Sequence, residues 1–202
     1  MNDIDKGVYT NIRDGKPLYL AAMRGDLELV KILIDTGDDV NALRGGALMH
    51  ACTLGNTELI KLLLDNGADV SIGNYIALIT ACECGELEAV SLLVEAGDDI
   101  HNVSGEALIA ACSNTSSYTS NNIVKYLITH GANVNVSDGK PLYIASKRGD
   151  LELVEILIDA GADVNINGGA AMLVAAERNH KDIVNYLHKH SSYCNYYSSK
   201  WI

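Results

Sequence analysis

The chain has 202 residues, 48% of them apolar, with a mean hydropathy of +0.09 and a formal charge of −11. Acids outnumber bases 26 to 15, which speaks against nucleic acid as the main partner, because phosphate binding draws on Lys and Arg displacing counterions. No run of about eighteen apolar residues is present to span a membrane, and the polar start Met1-Asn2-Asp3-Ile4-Asp5-Lys6 reads as neither a secretory signal nor a myristoylation site.

Taken in chain order, residues 1–13 align with the tail of a later unit, Gly7 to Asp14 with Gly131 to Asp138, and read as a partial hairpin capping the N-terminal end. Residues 14–43 then predict two short helices. Pro17 suits a first helical turn, where its missing N–H costs nothing. Leu18, Ala21 and Ala22 follow at helical spacing, and Gly25 can stop the helix in a left-handed conformation. Asp26 is placed to cap the second helix and Glu28 lies near its positive end. Leu29, Val30, Leu33 and Ile34 form its apolar stripe, and Gly37 ends it. The same roles recur in 44–73, 74–103, 104–137, 138–167 and 168–190.

The recurrence is quantitative. Gly37, Gly67, Gly97, Gly131 and Gly161 each open a phrase such as Gly67-Ala68-Asp69-Val70-Ser71, at spacings of 30, 30, 34 and 30 residues. Eleven residues after each glycine comes Leu48, Leu78, Leu108, Leu142 or Met172. Self-similarity at such a period marks a solenoid, since one helix pair cannot bury its own apolar face and must stack on a copy of itself.

Lys16-Pro17-Leu18-Tyr19 and Lys140-Pro141-Leu142-Tyr143 resemble the Thr-Pro-Leu-His box of ankyrin repeats, and Leu62 to Val70 resembles their second-helix ending. The resemblance covers residues 14–190 and implies an all-α ankyrin-type solenoid of about six stacked helix–turn–helix repeats. Two departures matter. The period is 30 residues where about 33 is usual, and the missing residues fall where the family places its β-hairpin, so shortened hairpins and a shallower edge are expected. Units of this length are similar to those of giant-virus ankyrin proteins. The Thr and His of the box are absent from every copy.

The fourth unit is longer. Between Cys112 and Ile123 lie ten residues, all Ser, Asn, Thr or Tyr, four more than after Cys52. They predict a polar bulge in the interhelical loop with Tyr118 at its tip. Units one and five are near-duplicates, Asp14–Asn41 and Asp138–Asn165 differing at six of 28 positions, so the array grew by copying. The sixth unit is more polar, as suits the closing element of a stack, and residues 191–202 read as a tail.

No chemistry stands out. Cys52, Cys82 and Cys112 share one register position with Ala22, Ser146 and Ala176, that of a small core residue. Neighbouring helices stand about 8–10 Å apart, beyond disulfide reach, so reduced thiols in a cytoplasmic protein are expected. Cys84 lacks a second pair at zinc spacing, and Cys194 lies in the tail near His188 and His190. No metal or cofactor site and no nucleophile–base arrangement is predicted, and the recurring Asp39, Asp69, Asp99 and Asp163 read as turn residues.

The resemblance implies protein binding through a concave face of hairpin tips and first-helix ends. Mapped by register, the candidates are Arg24, Leu54, Tyr75, Ile76, Glu83, Lys147, Arg148, Glu177 and Arg178, with Tyr118 in the insertion. The tips read as Gly15, Gly45, Gly105, Gly139 and Gly169, with Tyr75 the exception. It also permits hydroxylation at Asn41, Asn135 and Asn165. The reading is a non-catalytic, monomeric scaffold or adaptor for another protein, in the cytoplasm, or the host cytoplasm for a viral chain. The competing readings are a substrate-recruiting subunit of a ubiquitin ligase and a structural array without one partner.

Overall fold

The computed structural model describes residues 15–97, 104–115 and 117–191, and among these the regular structure is helical throughout. The expected cap over 1–13 and the tail beyond Ser191 lie outside that set. Six helix pairs follow one another: α1 (Lys16–Arg24) and α2 (Leu27–Asp35), α3 (Ala42–Thr53) and α4 (Thr57–Asp65), α5 (Ile72–Cys84) and α6 (Leu87–Ala96), α7 (Ser104–Ser113) and α8 (Ser117–Thr129), α9 (Val136–Arg148) and α10 (Leu151–Asp159), α11 (Ile166–Glu177) and α12 (Lys181–His190). They form two compact units, Met1–Asp99 and Ile100–Ile202. Within each, the first helices of successive pairs pack on one another more broadly than the second helices do.

Local chemistry starts and stops the helices as the repeat pattern predicts. Asp26, Asn56 and Asp150 each accept a hydrogen bond from the backbone N–H three residues on, at 3.0–3.1 Å, a cap worth about 1 kcal/mol each. Gly25, Gly85 and Gly149 end first helices in the left-handed region. Leu18, Leu48, Leu78, Leu108 and Leu142 are buried, as are Leu33, Leu63, Leu93, Leu127 and Leu157. Each such side chain contributes about 1.5–3 kcal/mol, so burial between copies outweighs any single cap. Ile34 is half-buried, like its counterparts Leu64 and Ile158. Leu29 is also only half-buried, whereas its counterparts Leu59 and Leu153 are fully buried. In the first pair no earlier second helix covers that side among the described residues.

The shortened hairpin has a definite form. In place of strands, three consecutive residues take left-handed backbone angles before the first helix proper: Leu43 to Gly45, Gly73 to Tyr75, Ser137 to Gly139 and Asn167 to Gly169. Pro141 therefore sits in the first turn after that reversal and not mid-helix. Upstream, Asp39, Asp69 and Asp163 each accept from the backbone N–H two residues later, at 2.8–2.9 Å, the turn role read from their period. Asn133 does the same at 2.9 Å, and Asp99 lies outside the described residues. The Ser71 hydroxyl also donates to Asp69, and these two bonds hold the Asp69 carboxyl below its ordinary range.

Asn41 and Asn135 then join one copy to the next. Asn41 donates through Nδ2 to the Gly67 carbonyl (2.9 Å) and accepts at Oδ1 from the Asp69 N–H (2.8 Å). Asn135 does the same with Gly161 (3.1 Å) and Asp163 (2.9 Å). Asn165 accepts from the Ser191 hydroxyl at 2.7 Å.

The insertion in the fourth pair corrects one expectation. Ser117 opens α8 five residues after Cys112, just as Thr57 opens α4 five after Cys52, so the loop keeps its length. The four extra residues become one added turn: α8 has 13 residues where α2, α4 and α10 have 9. Tyr118 thus belongs to a helix and not to a loop tip. Its side chain lies outside the described set. Ser120 shows how the turn is accommodated. Its hydroxyl donates to the Ala111 carbonyl at 2.6 Å, the carbonyl whose counterpart on Ala51 receives the Asn56 N–H at 3.0 Å. A side-chain hydroxyl thus reaches the carbonyl that a backbone N–H reaches in the shorter pair.

Asn135→Ala removes both bonds of one clamp. At about 0.5–1.5 kcal/mol per bond, the urea midpoint should fall by the equivalent of about 1–3 kcal/mol with an unchanged slope. An unchanged midpoint would show that the clamp sets register without adding stability.

Candidate partner-binding surface

The glycines expected at the tips are not at the tips. Gly15, Gly45, Gly139 and Gly169 are buried. A Cβ on Gly15 would collide with that of Ala42, and one on Gly139 would lie 3.1 Å from Ile166 Cγ2. The next copy therefore covers this position, and its positive φ adds a second reason for glycine there. The exposed tip residues come just before: Leu43 and Arg44, Asn74, Ser137 and Asp138, Asn167 and Gly168. Tyr75 occupies the covered glycine position with φ 59° and is half-buried, as is Ile76. Neither forms the exposed apolar point that the register suggested.

The first-helix ends are exposed within each compact unit taken by itself. Arg24, Leu54, Glu83, Lys147, Glu177 and Arg178 are all exposed, Leu54 to 51%. Three further apolar residues outside the candidate set are exposed on first helices: Leu20 and Met23, each 41%, and Leu173 at 59%. For Met23 and Leu54 the signal was available: other copies carry Thr, Glu, Ser or Lys at the Met23 position and Arg, Cys or Asn at the Leu54 position. Helical period alone assigns Leu20 and Leu173 to the core with equal ease.

Arg148 is different. It is only half-buried by residue, but Nη1 donates to the Cys112 carbonyl of the preceding pair and Nη2 lies 3.7 Å from Asp150 Oδ2. Asp150 Oδ1 meanwhile caps α10. Arg148 therefore bridges a helix end of one pair to the cap of the next, and the side chain is committed inward. Its duplicate Arg24 points to solvent. The neighbouring copy, and not the local sequence, makes the difference.

A second pair of duplicates diverges in the same way. Tyr19 Oη and His50 Nε2 are 2.9 Å apart with their rings edge to face, and a Cβ on Gly46 would fall 2.8 Å from the Tyr19 ring. In the second unit Val174 stands at the His50 position, and Lys140 Nζ lies 5.8 Å over the Tyr143 ring. There the ring borders a shallow groove of about 200 Å³ with Ser137, Asp138, Asp163 and Asn167.

Cys52, Cys82, Cys84 and Cys112 are free thiols, and only Cys84 is exposed. Burial pushes Cys52 and Cys112 up to about 12, the nearby Arg148 only partly opposing it for Cys112. Cys84 is also raised, first by partial burial and then by Glu86 and Glu83. Among the described residues no three His, Cys, Asp or Glu converge as metal ligands, and no helix is long and apolar enough to cross a membrane.

The family of ankyrin repeats (3 copies) matches residues 2–74, 72–138 and 108–198, nearly the whole chain. The chain belongs to the ankyrin-repeat family. No individual curated protein matches it. Ankyrin repeats are in general protein–protein interaction modules and typically non-catalytic, which agrees with a surface rich in exposed helix ends.

Two outcomes follow from this geometry. Arg148→Ala should lower stability by about 1.5–3 kcal/mol, the range for hydrogen bonds to charged groups, while Arg178→Ala should leave the urea midpoint unchanged. In residue-resolved alkylation, Cys84 should react in the native state, faster as pH rises beyond 9.0, the ordinary thiol value. Cys52 and Cys112 should react only on unfolding.

Proposed function

We propose that this ankyrin-repeat protein is a scaffold or adaptor that holds another protein against its first-helix face and does no catalysis. The observation carrying this reading is the pair of exposed helix ends on α1 and α3, where Met23 and Leu54 present apolar side chains to solvent. Exposed apolar side chains that adjoin one another, rimmed by charge, are the usual mark of an interaction surface. The tips add less, because the left-handed turns project only two residues per copy. We place its action in the cytoplasm, where buried thiols stay reduced. The 30-residue period suggests kinship with giant-virus ankyrin proteins, for which that compartment is the host's.

The test is affinity capture with the full chain from its native cell, run beside Leu54→Asp and Lys147→Glu. A partner retained by the native chain and lost with either variant supports the reading. A partner retained equally by both variants places binding elsewhere, and no retained partner overturns it.

A further inference from the structure

The N-terminal unit carries a graded row. Along the ends of α1, α3 and α5 stand Arg24, then Leu54, then Glu83 and Cys84. Leu54 lies beside the end of α1: its Cδ1 is 3.9 Å from where a Cβ on Gly25 would be. Met23 is a second exposed apolar side chain, at the end of α1. On the other side the Glu86 carboxylate packs directly on Gly55, the residue after Leu54. Glu83 and Glu86 both raise the Cys84 thiol, so their charge reaches the same point. The row therefore reads cation, apolar, anion.

The duplicated block shows that this pattern is not a by-product of the fold. Of the six positions that differ between Asp14–Asn41 and Asp138–Asn165, Met23/Lys147 lies on the exposed helix ends, and it exchanges an apolar for a cationic side chain. Arg148, the counterpart of Arg24, is committed inward to Cys112 and Asp150. The helix ends of the C-terminal unit thus carry Lys147, Glu177 and Arg178 with no exposed apolar residue at the Leu54 position. The N-terminal unit as a whole is acidic, with twelve Asp and Glu against five Lys and Arg over residues 15–97.

We propose that the first-helix ends of the N-terminal unit bind a partner segment presenting an acidic residue, a bulky aliphatic or aromatic anchor, and a basic residue in that order. The anchor covers Met23 and Leu54 at the ends of α1 and α3. The acidic residue meets Arg24 and the basic one meets Glu83 and Glu86. Packed helices stand about 8–10 Å apart, so successive contacts are about three residues apart along an extended segment at about 3.3 Å each. This rests on the reading that the face binds protein, and it adds which chemistry the partner must show.

Random-peptide display on the full chain tests it. Enriched peptides should carry one bulky apolar residue flanked about three positions away by an acid on one side and a base on the other. Leu54→Asp should weaken the best of them about tenfold or more. Glu83→Lys combined with Glu86→Lys should do the same, and a peptide with its basic residue exchanged for Glu should recover binding to that variant. This recovery separates lost complementarity from lost folding. Enriched peptides with flanks of one sign, or insensitive to Leu54→Asp, overturn the proposal while leaving protein binding in place. No enriched peptide overturns both.

Discussion

No helix pair in this chain can cover its own apolar face, and everything else in the structure follows from that shortage. A second helix of nine residues is only about 13 Å long at 1.5 Å per residue. Isolated helices of that length are marginal in water. Stability must come from the next copy, which supplies the other half of each core. Leu59, Leu63, Leu153 and Leu157 reach zero exposure because they lie between copies. Leu29 remains half-buried where no earlier second helix is described.

Stacking also dictates the backbone at the joins. Three left-handed residues reverse the chain in less length than a hairpin, and the following copy presses on the third of them at Gly45, by Ile72, and at Gly139, by Ile166. The Asn41 and Asn135 side chains then satisfy a carbonyl and an N–H in the turn that follows the next copy's second helix. In energy these clamps are small beside the buried leucines, about 1 kcal/mol per bond against 1.5–3 per side chain. Their directionality suits them to fixing how one copy sits on the next, which apolar contact alone does not specify.

Because the scaffold is repeated, its surface can vary at little cost to folding. The two near-identical blocks keep their N-caps, Asp26 and Asp150, and their buried leucines, and differ at Met23/Lys147 on the exposed helix ends and in their neighbours. Tyr19 meets His50, whereas Tyr143 borders a groove beneath Lys140. Arg24 faces solvent, whereas Arg148 reaches the Cys112 carbonyl. One sequence block thus yields two different surfaces, according to what is stacked against it.

The period, the two helices per unit, their caps and the small-residue identity of Cys52, Cys82 and Cys112 were legible in the sequence, because they depend on spacing within one copy. Asp26 and Asp150 cap helices by contacts three residues away, and any reader of the register finds them. The conversion of the Ser/Asn/Thr/Tyr insertion into a helical turn was not legible, since it depends on Ser120 reaching a carbonyl nine residues earlier. The burial of the glycine thought to form the tip was equally hidden, because the residue that covers it comes from another copy. The same holds for the commitment of Arg148 to the interior, whereas register alone placed Leu54 on the exposed helix end. Local pattern determined what each copy is, and only the packing of copies decided which of its side chains remain for a partner to meet.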